Sequence, residues 1–118
     1  MLRTIRASKS STDEELSEIC ERELDCGECQ IEPGPEKETI RETSPPANTL
    51  AVIADISSAG GALKVHQKSD NNWGNIFIGM VGSDDDDENI KNLVIVPWDA
   101  GWHYRSIGAI KIKYAIKK

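Results

Sequence analysis

The chain has 118 residues, 20 acids against 14 bases, and aromatic side chains at only 5% of positions; that length holds one domain, with little room for a large catalytic cleft. The acidic excess is local: residues 1–48 carry 12 acids and 6 bases while residues 49–118 carry 8 of each, so the net charge of −6 does not describe the surface of the C-terminal part. No run approaches the ~18 apolar residues of a membrane-spanning helix, and the start lacks the apolar stretch of a secretory signal.

Residues 1–11 are basic, serine-containing and free of acids, a faint presequence-like feature, but acids begin at Asp13 and a frayed start is the simpler expectation. Thr12 with Glu15 forms a capping box, and Asp13 and Glu14 suit a helix N-terminus, which predicts a helix over 12–24. Its apolar positions, Leu16, Ile19, Cys20 and Leu24, make one narrow stripe on an acidic rod. Such a helix is marginal alone, so it either docks on the rest of the chain or waits for a partner. Cys20, Cys26 and Cys29 are an odd number in one short stretch, unlike a disulfide framework, which points to a reducing, cytoplasmic setting. From Gln30 to Asn48, Pro33, Gly34, Pro35, Pro45 and Pro46 lie among charged residues and read as a linker. The expected organisation is an acidic, mostly disordered segment over 1–48 and a β domain over 49–118.

Beyond Asn48 the period becomes two. Leu50, Val52, Ala54 and Ile56 alternate, Gly60 and Gly61 suggest a turn, and Leu63 and Val65 continue. Ile76, Ile78 and Met80 define a further strand, Ile90 to Val96 a central one, and Ile110, Ile112, Tyr114 and Ile116 a last one with Lys111, Lys113 and Lys117 on its opposite, wet face. Lysines there suit an edge strand. Five strands, or six with Trp102 to Ser106, predict an all-β fold: a small antiparallel sandwich or barrel formed as a meander. The scarcity of large core residues adds the expectation of a homo-oligomer.

The chain's rarest side chains gather between Pro97 and Arg105. In a meander, connections alternate ends, which places Trp73, Trp98 and Trp102 on one rim with Asp70, Asn72, Asp99, His103, Tyr104 and Arg105. Flat indoles give stacking area while acids, amides and arginine aim hydrogen bonds, a chemistry suited to a sugar, a lipid headgroup or a peptide. The competing expectation is that the indoles plug the end of a thin core, with Arg105 paired to Asp99.

Gly101-Trp102-His103, followed by Arg105 and Gly108, is similar to a short string in the actinoporin type of pore-forming β-sandwich, with looser echoes at residues 48–52 and in Asn72-Trp73. Strings this short recur by chance. The chain also departs from that family: it is too short, its helix is acidic rather than membrane-seeking, and the tyrosine cluster for choline headgroups is absent. What the resemblance implies is a rim able to meet a membrane surface.

The run Ser83, Asp84, Asp85, Asp86, Asp87, Glu88 lacks the alternate ligand spacing and glycine of a calcium loop and reads as a solvated hairpin tip. Cys26-Gly27-Glu28-Cys29 with Cys20 is a weak metal or redox candidate; a zinc site would need His66 or His103 to complete it. No phosphate loop, catalytic triad or paired apolar carboxylates appear, which argues against an enzyme and gives no reason to expect a cofactor. Lys64, Lys68, Lys91, Lys111, Lys113 and Lys117 could form a basic face, but without aromatic stacking on it, which argues against nucleic acid. The leading expectation is therefore a non-enzymatic binding module for a small polar ligand or a protein. Its rivals are a thiol or zinc protein, an oligomeric assembly or regulatory protein whose helix enters a partner's groove, and a membrane-binding β-sandwich.

Overall fold

The computed structural model describes residues 2–24, 27–35, 37–56, 61–68, 75–82, 92–108 and 110–118. The readings placed on Asp70, Asn72, Trp73, Cys26, Ser83–Glu88 and Lys91 lie outside these. Among the described residues eight strands form two antiparallel sheets: β1 (Ile5–Ser8), β6 (Asn92–Pro97), β3 (Thr49–Ile56), β8 (Ile110–Lys117) and β2 (Cys29–Pro33), in that order, and β5 (Asn75–Val81), β4 (Ala62–Lys68) and β7 (Trp102–Ile107). The all-β sandwich is as expected, and Trp102–Ile107 is extended, which brings the described strands after Asn48 to six.

The alternation in β3 dictates the layers. Val52, Ala54 and Ile56 face the three-stranded sheet, in one core cluster with Leu63, Val65, Val94, Val96, Tyr104, Ile110, Ile112 and Tyr114. Ala51 and Ile53 face the other way, into a second cluster with Leu16 and Cys20 of the helix α1 (Asp13–Leu24) and with Leu93, Ile95 and Ala115. Helix, five-stranded sheet and three-stranded sheet thus stack as three layers. The near-continuous apolar run of β6 follows from this: Leu93 and Ile95 meet the helix layer, and Val94 and Val96 meet the opposite sheet.

The helix docks as its stripe allows. Leu16 and Cys20 are fully buried, and Ile19 and Leu24 pack at the margin. The capping box forms, with the Glu15 N–H donating to Thr12 Oγ1 at 3.2 Å and the Thr12 N–H to Glu15 Oε1 at 3.4 Å. Lys113 Nζ reaches Asp13 Oδ1 at 2.6 Å, and the Ser17 hydroxyl donates to the Cys29 carbonyl at 2.7 Å, tying α1 to β2.

Four expectations are corrected. The boundary near Asn48 marks the start of β3 but does not separate two bodies, because β1 pairs with β6, β2 pairs with β8, and α1 covers the sheet. The linker is a strap: the Gly34 N–H donates to the Ile112 carbonyl at 2.8 Å, and Thr43 exchanges both backbone bonds with Tyr104 along the free edge of β7. A Cβ on Gly34 would come within 2.9 Å of Ile112, which explains the glycine where strand becomes strap. The strands are not a meander either. Of the consecutive strands only β4 and β5 are hydrogen-bonded neighbours; from β3 to β4, and at each step from β5 to β8, the chain changes sheet. Last, β8 is not an edge but lies between β3 and β2; of its lysines, Lys113 meets Asp13 of the helix, while Lys111 and Lys117 are exposed.

Candidate functional site

The step from β6 in one sheet to β7 in the other is a tight turn at the open end of the sandwich. The Trp102 N–H donates to the Asp99 carbonyl at 3.2 Å, and Gly101, at the third turn position, has φ 90°. A type II turn needs this left-handed conformation there, and glycine adopts it without strain. The Trp98 N–H is held by the Leu50 carbonyl at 2.9 Å. The turn therefore folds Trp102 back onto Trp98, their rings edge to face with centroids 5.5 Å apart.

The two half-buried indoles both seal and line. Each packs against the main core cluster, and each lines an open groove of about 780 Å³. Trp98 and Trp102, with the turn residues Asp99, Ala100 and Gly101, form one side. The strap forms another with Glu42, Ser44, Pro45, Pro46 and Ala47, and Lys68 and His103 come from the three-stranded sheet. A smaller hollow of about 420 Å³, lined in part by Arg3 and Leu24, touches the same indole pair from the helix side. Polar groups of both signs, Glu42, Asp99 and Lys68, thus surround an aromatic wall. His103 Nδ1 lies 3.1 Å from Glu42 Oε2, which holds the imidazole against the strap.

Behind the wall the rings continue into the core. Trp98 meets Tyr104 edge to face at 6.0 Å, and the Tyr104 and Tyr114 hydroxyls hydrogen-bond to each other at 2.5 Å. Burial foremost, then the bond to Tyr114, pushes the Tyr104 phenol far above its ordinary range. Burial raises Tyr114 as well, and there the bond from its neighbour works in the opposite direction.

Of the expected rim residues, the structure brings together Trp98, Asp99, Trp102 and His103. Tyr104 is corrected: it is fully buried and belongs to the core, because alternation on β7 turns it inward between its neighbours His103 and Arg105. Arg105 stands opposite Lys64 on β4 instead of pairing with Asp99; no ion pair joins those two described residues. The strap side, Glu42 to Ala47, was missed. Nothing local marks it, since its place depends on the Thr43–Tyr104 bridge across 61 positions of chain.

The other candidates change standing. Cys20 and Cys29 are buried between helix and sheet, whereas His66 and His103 lie on the three-stranded sheet on the far side of the main core, so a combined cysteine–histidine zinc site is ruled out for these four. Among the described residues no three histidine, cysteine, aspartate or glutamate side chains converge on one point. The helix stripe is spent on the chain's own sheet, which leaves the idea of insertion into a partner's groove without a free face. No helix among the described residues is long and apolar enough to cross a membrane. No family model matches this chain, and neither a curated protein nor a solved structure is significantly similar to it.

Proposed function

We propose that the chain is a non-enzymatic binding module whose ligand is a small polar molecule with apolar ring faces, a short saccharide being the best fit to the groove. The observation that carries this reading is the Trp98–Trp102 pair, two indoles nearly perpendicular at 81° and facing an open groove of about 780 Å³, a volume inside the ~300–1,000 Å³ usual for small-molecule sites. Sugar C–H faces stack on indoles, and hydroxyls take hydrogen bonds from Lys68 and give them to Asp99 and Glu42. The tight turn and the strap hold the wall in place before a ligand arrives, which keeps the ordering cost of binding low.

The test is indole fluorescence of the full chain titrated with a panel of soluble oligosaccharides, with a proline-rich peptide and phosphatidylcholine vesicles as separate arms. A saturable change with at least one oligosaccharide is expected. It should be lost in Trp102→Ala, a variant whose melting temperature falls only modestly because Trp102 is half-buried. Response to the peptide or vesicle arm alone would transfer the groove to that ligand class, and no response in any arm would overturn the binding reading.

A further inference from the structure

Val65 of β4 and Tyr104 of β7 are cross-strand partners that face the core. The next pair along the same regular ladder, His66 and His103, therefore faces outward. These are the only two histidines of the chain. Their nitrogens are nevertheless withdrawn from water: both ring nitrogens of His66 and Nε2 of His103 are buried without a hydrogen-bond partner. Phe77 packs against His66, ring centroids 5.5 Å apart. The remaining nitrogen, His103 Nδ1, is 3.1 Å from Glu42 Oε2, with the two side chains only 12% and 23% exposed.

Glu42 thus occupies the Nδ1 side of the His103 ring and leaves Nε2 as the nitrogen without a protein partner. Both ring nitrogens of His66 are without a protein partner, so either can serve as a ligand. Directly opposed residues on antiparallel strands have Cβ atoms about 4.5–5.5 Å apart, a separation that one ion with metal–nitrogen bonds of ~2.0–2.1 Å can bridge. A carboxylate behind a histidine is also the usual support for a metal-bound imidazole.

We propose that His66 and His103 together bind one divalent transition-metal ion of the zinc class across β4 and β7, with Glu42 positioning His103. Lys64 and Arg105, on the same face two residues along, and Lys68, two residues the other way, weaken the attraction for any cation. Selection rests on imidazole softness, so hard ions such as magnesium are not retained. The same lysines and arginine make an anion the natural competitor for this face. The site shares His103 and Glu42 with the groove lining, but His66 is not part of that lining, so the His66 variants tell the two sites apart.

The experiment follows the ring signals of the two histidines by NMR while zinc chloride is added to the full chain. Both imidazoles should shift together and saturate at one zinc per chain, with magnesium causing no shift. His66→Ala and the bulkier His66→Gln should each weaken zinc binding at least tenfold while leaving the groove's own ligand response intact. Glu42→Ala should weaken it by about 10–100-fold. Zinc that binds without moving either imidazole, and equally well to the His66 variants, would place it on the cysteines and overturn the proposal. A joint shift with inorganic phosphate in place of zinc would assign the pair to an anion and overturn it equally.

Discussion

Leu16→Ala measures whether the acidic N-terminal part is structure or tether. Leu16 is fully buried, at 0% accessibility between α1 and the five-stranded sheet. Removing such a side chain from a packed core costs about 3 kcal/mol, transfer and cavity terms together. The whole chain, at ~0.05–0.15 kcal/mol per residue, has about 6–18 kcal/mol to lose, so the variant still folds. A domain of this size shifts by about 4 °C per kcal/mol, which gives a drop in Tm of about 12 °C. The assay is thermal unfolding followed at once by helix circular dichroism and by indole fluorescence. The first sees α1, and the second sees the chain's three tryptophans, of which Trp98 and Trp102 pack against the core between the two sheets, so the two curves should coincide and move together. On a free tether the same substitution changes nothing, because alanine is the better helix former. A Tm within about 2 °C of the parent, or a helix transition that precedes the indole transition, would refute the three-layer account; Glu18→Ala on the exposed side of α1 serves as control and should stay within ~0.5 kcal/mol.

Tyr104→Phe leaves the buried Tyr114 hydroxyl without its partner and should cost about 1–3 kcal/mol in denaturant unfolding, while Tyr104→Phe combined with Tyr114→Phe should recover part of that loss. The Tyr104 phenol is raised above its ordinary value of 10.0 in the folded chain, so its contribution is intact below that pH and falls away as pH rises further; the alkaline loss of stability should be smaller in Tyr104→Phe. Gly101→Ala meets no neighbour within 4 Å but must adopt φ near 90°, so calorimetry should show a loss of about 1–2 kcal/mol from backbone strain alone. Cys20 and Cys29 should resist alkylation in the native chain and react on unfolding, as peptide mass mapping will show; labelling of both in the folded state would contradict their burial.

What the sequence determined by itself is whatever repeats within a few residues. The capping box and the Leu16–Cys20 stripe specified α1, and the alternation in β3 and β8 specified which side chains share a face. The enrichment at Pro97–Arg105 led to the Trp98–Trp102 turn, since those two residues are brought together by a turn of four residues. Which strand lies beside which was not legible. β1 is four residues and β2 ends in proline, and each offers only two apolar positions, Ile5 and Ala7 or Cys29 and Ile31, an alternation too short to stand out, so both read as loop until β6 and β8 supplied their hydrogen bonds. The same holds for Tyr104, whose inward direction is set by the opposite sheet, and for Glu42 and Pro45, which reach the groove only because Thr43 pairs with Tyr104. Periodicity records the faces of one segment, because side-chain direction is a local property of the backbone. Choice of partner is a property of the whole packed chain, settled by which arrangement of strands and helix buries both faces of the five-stranded sheet at once.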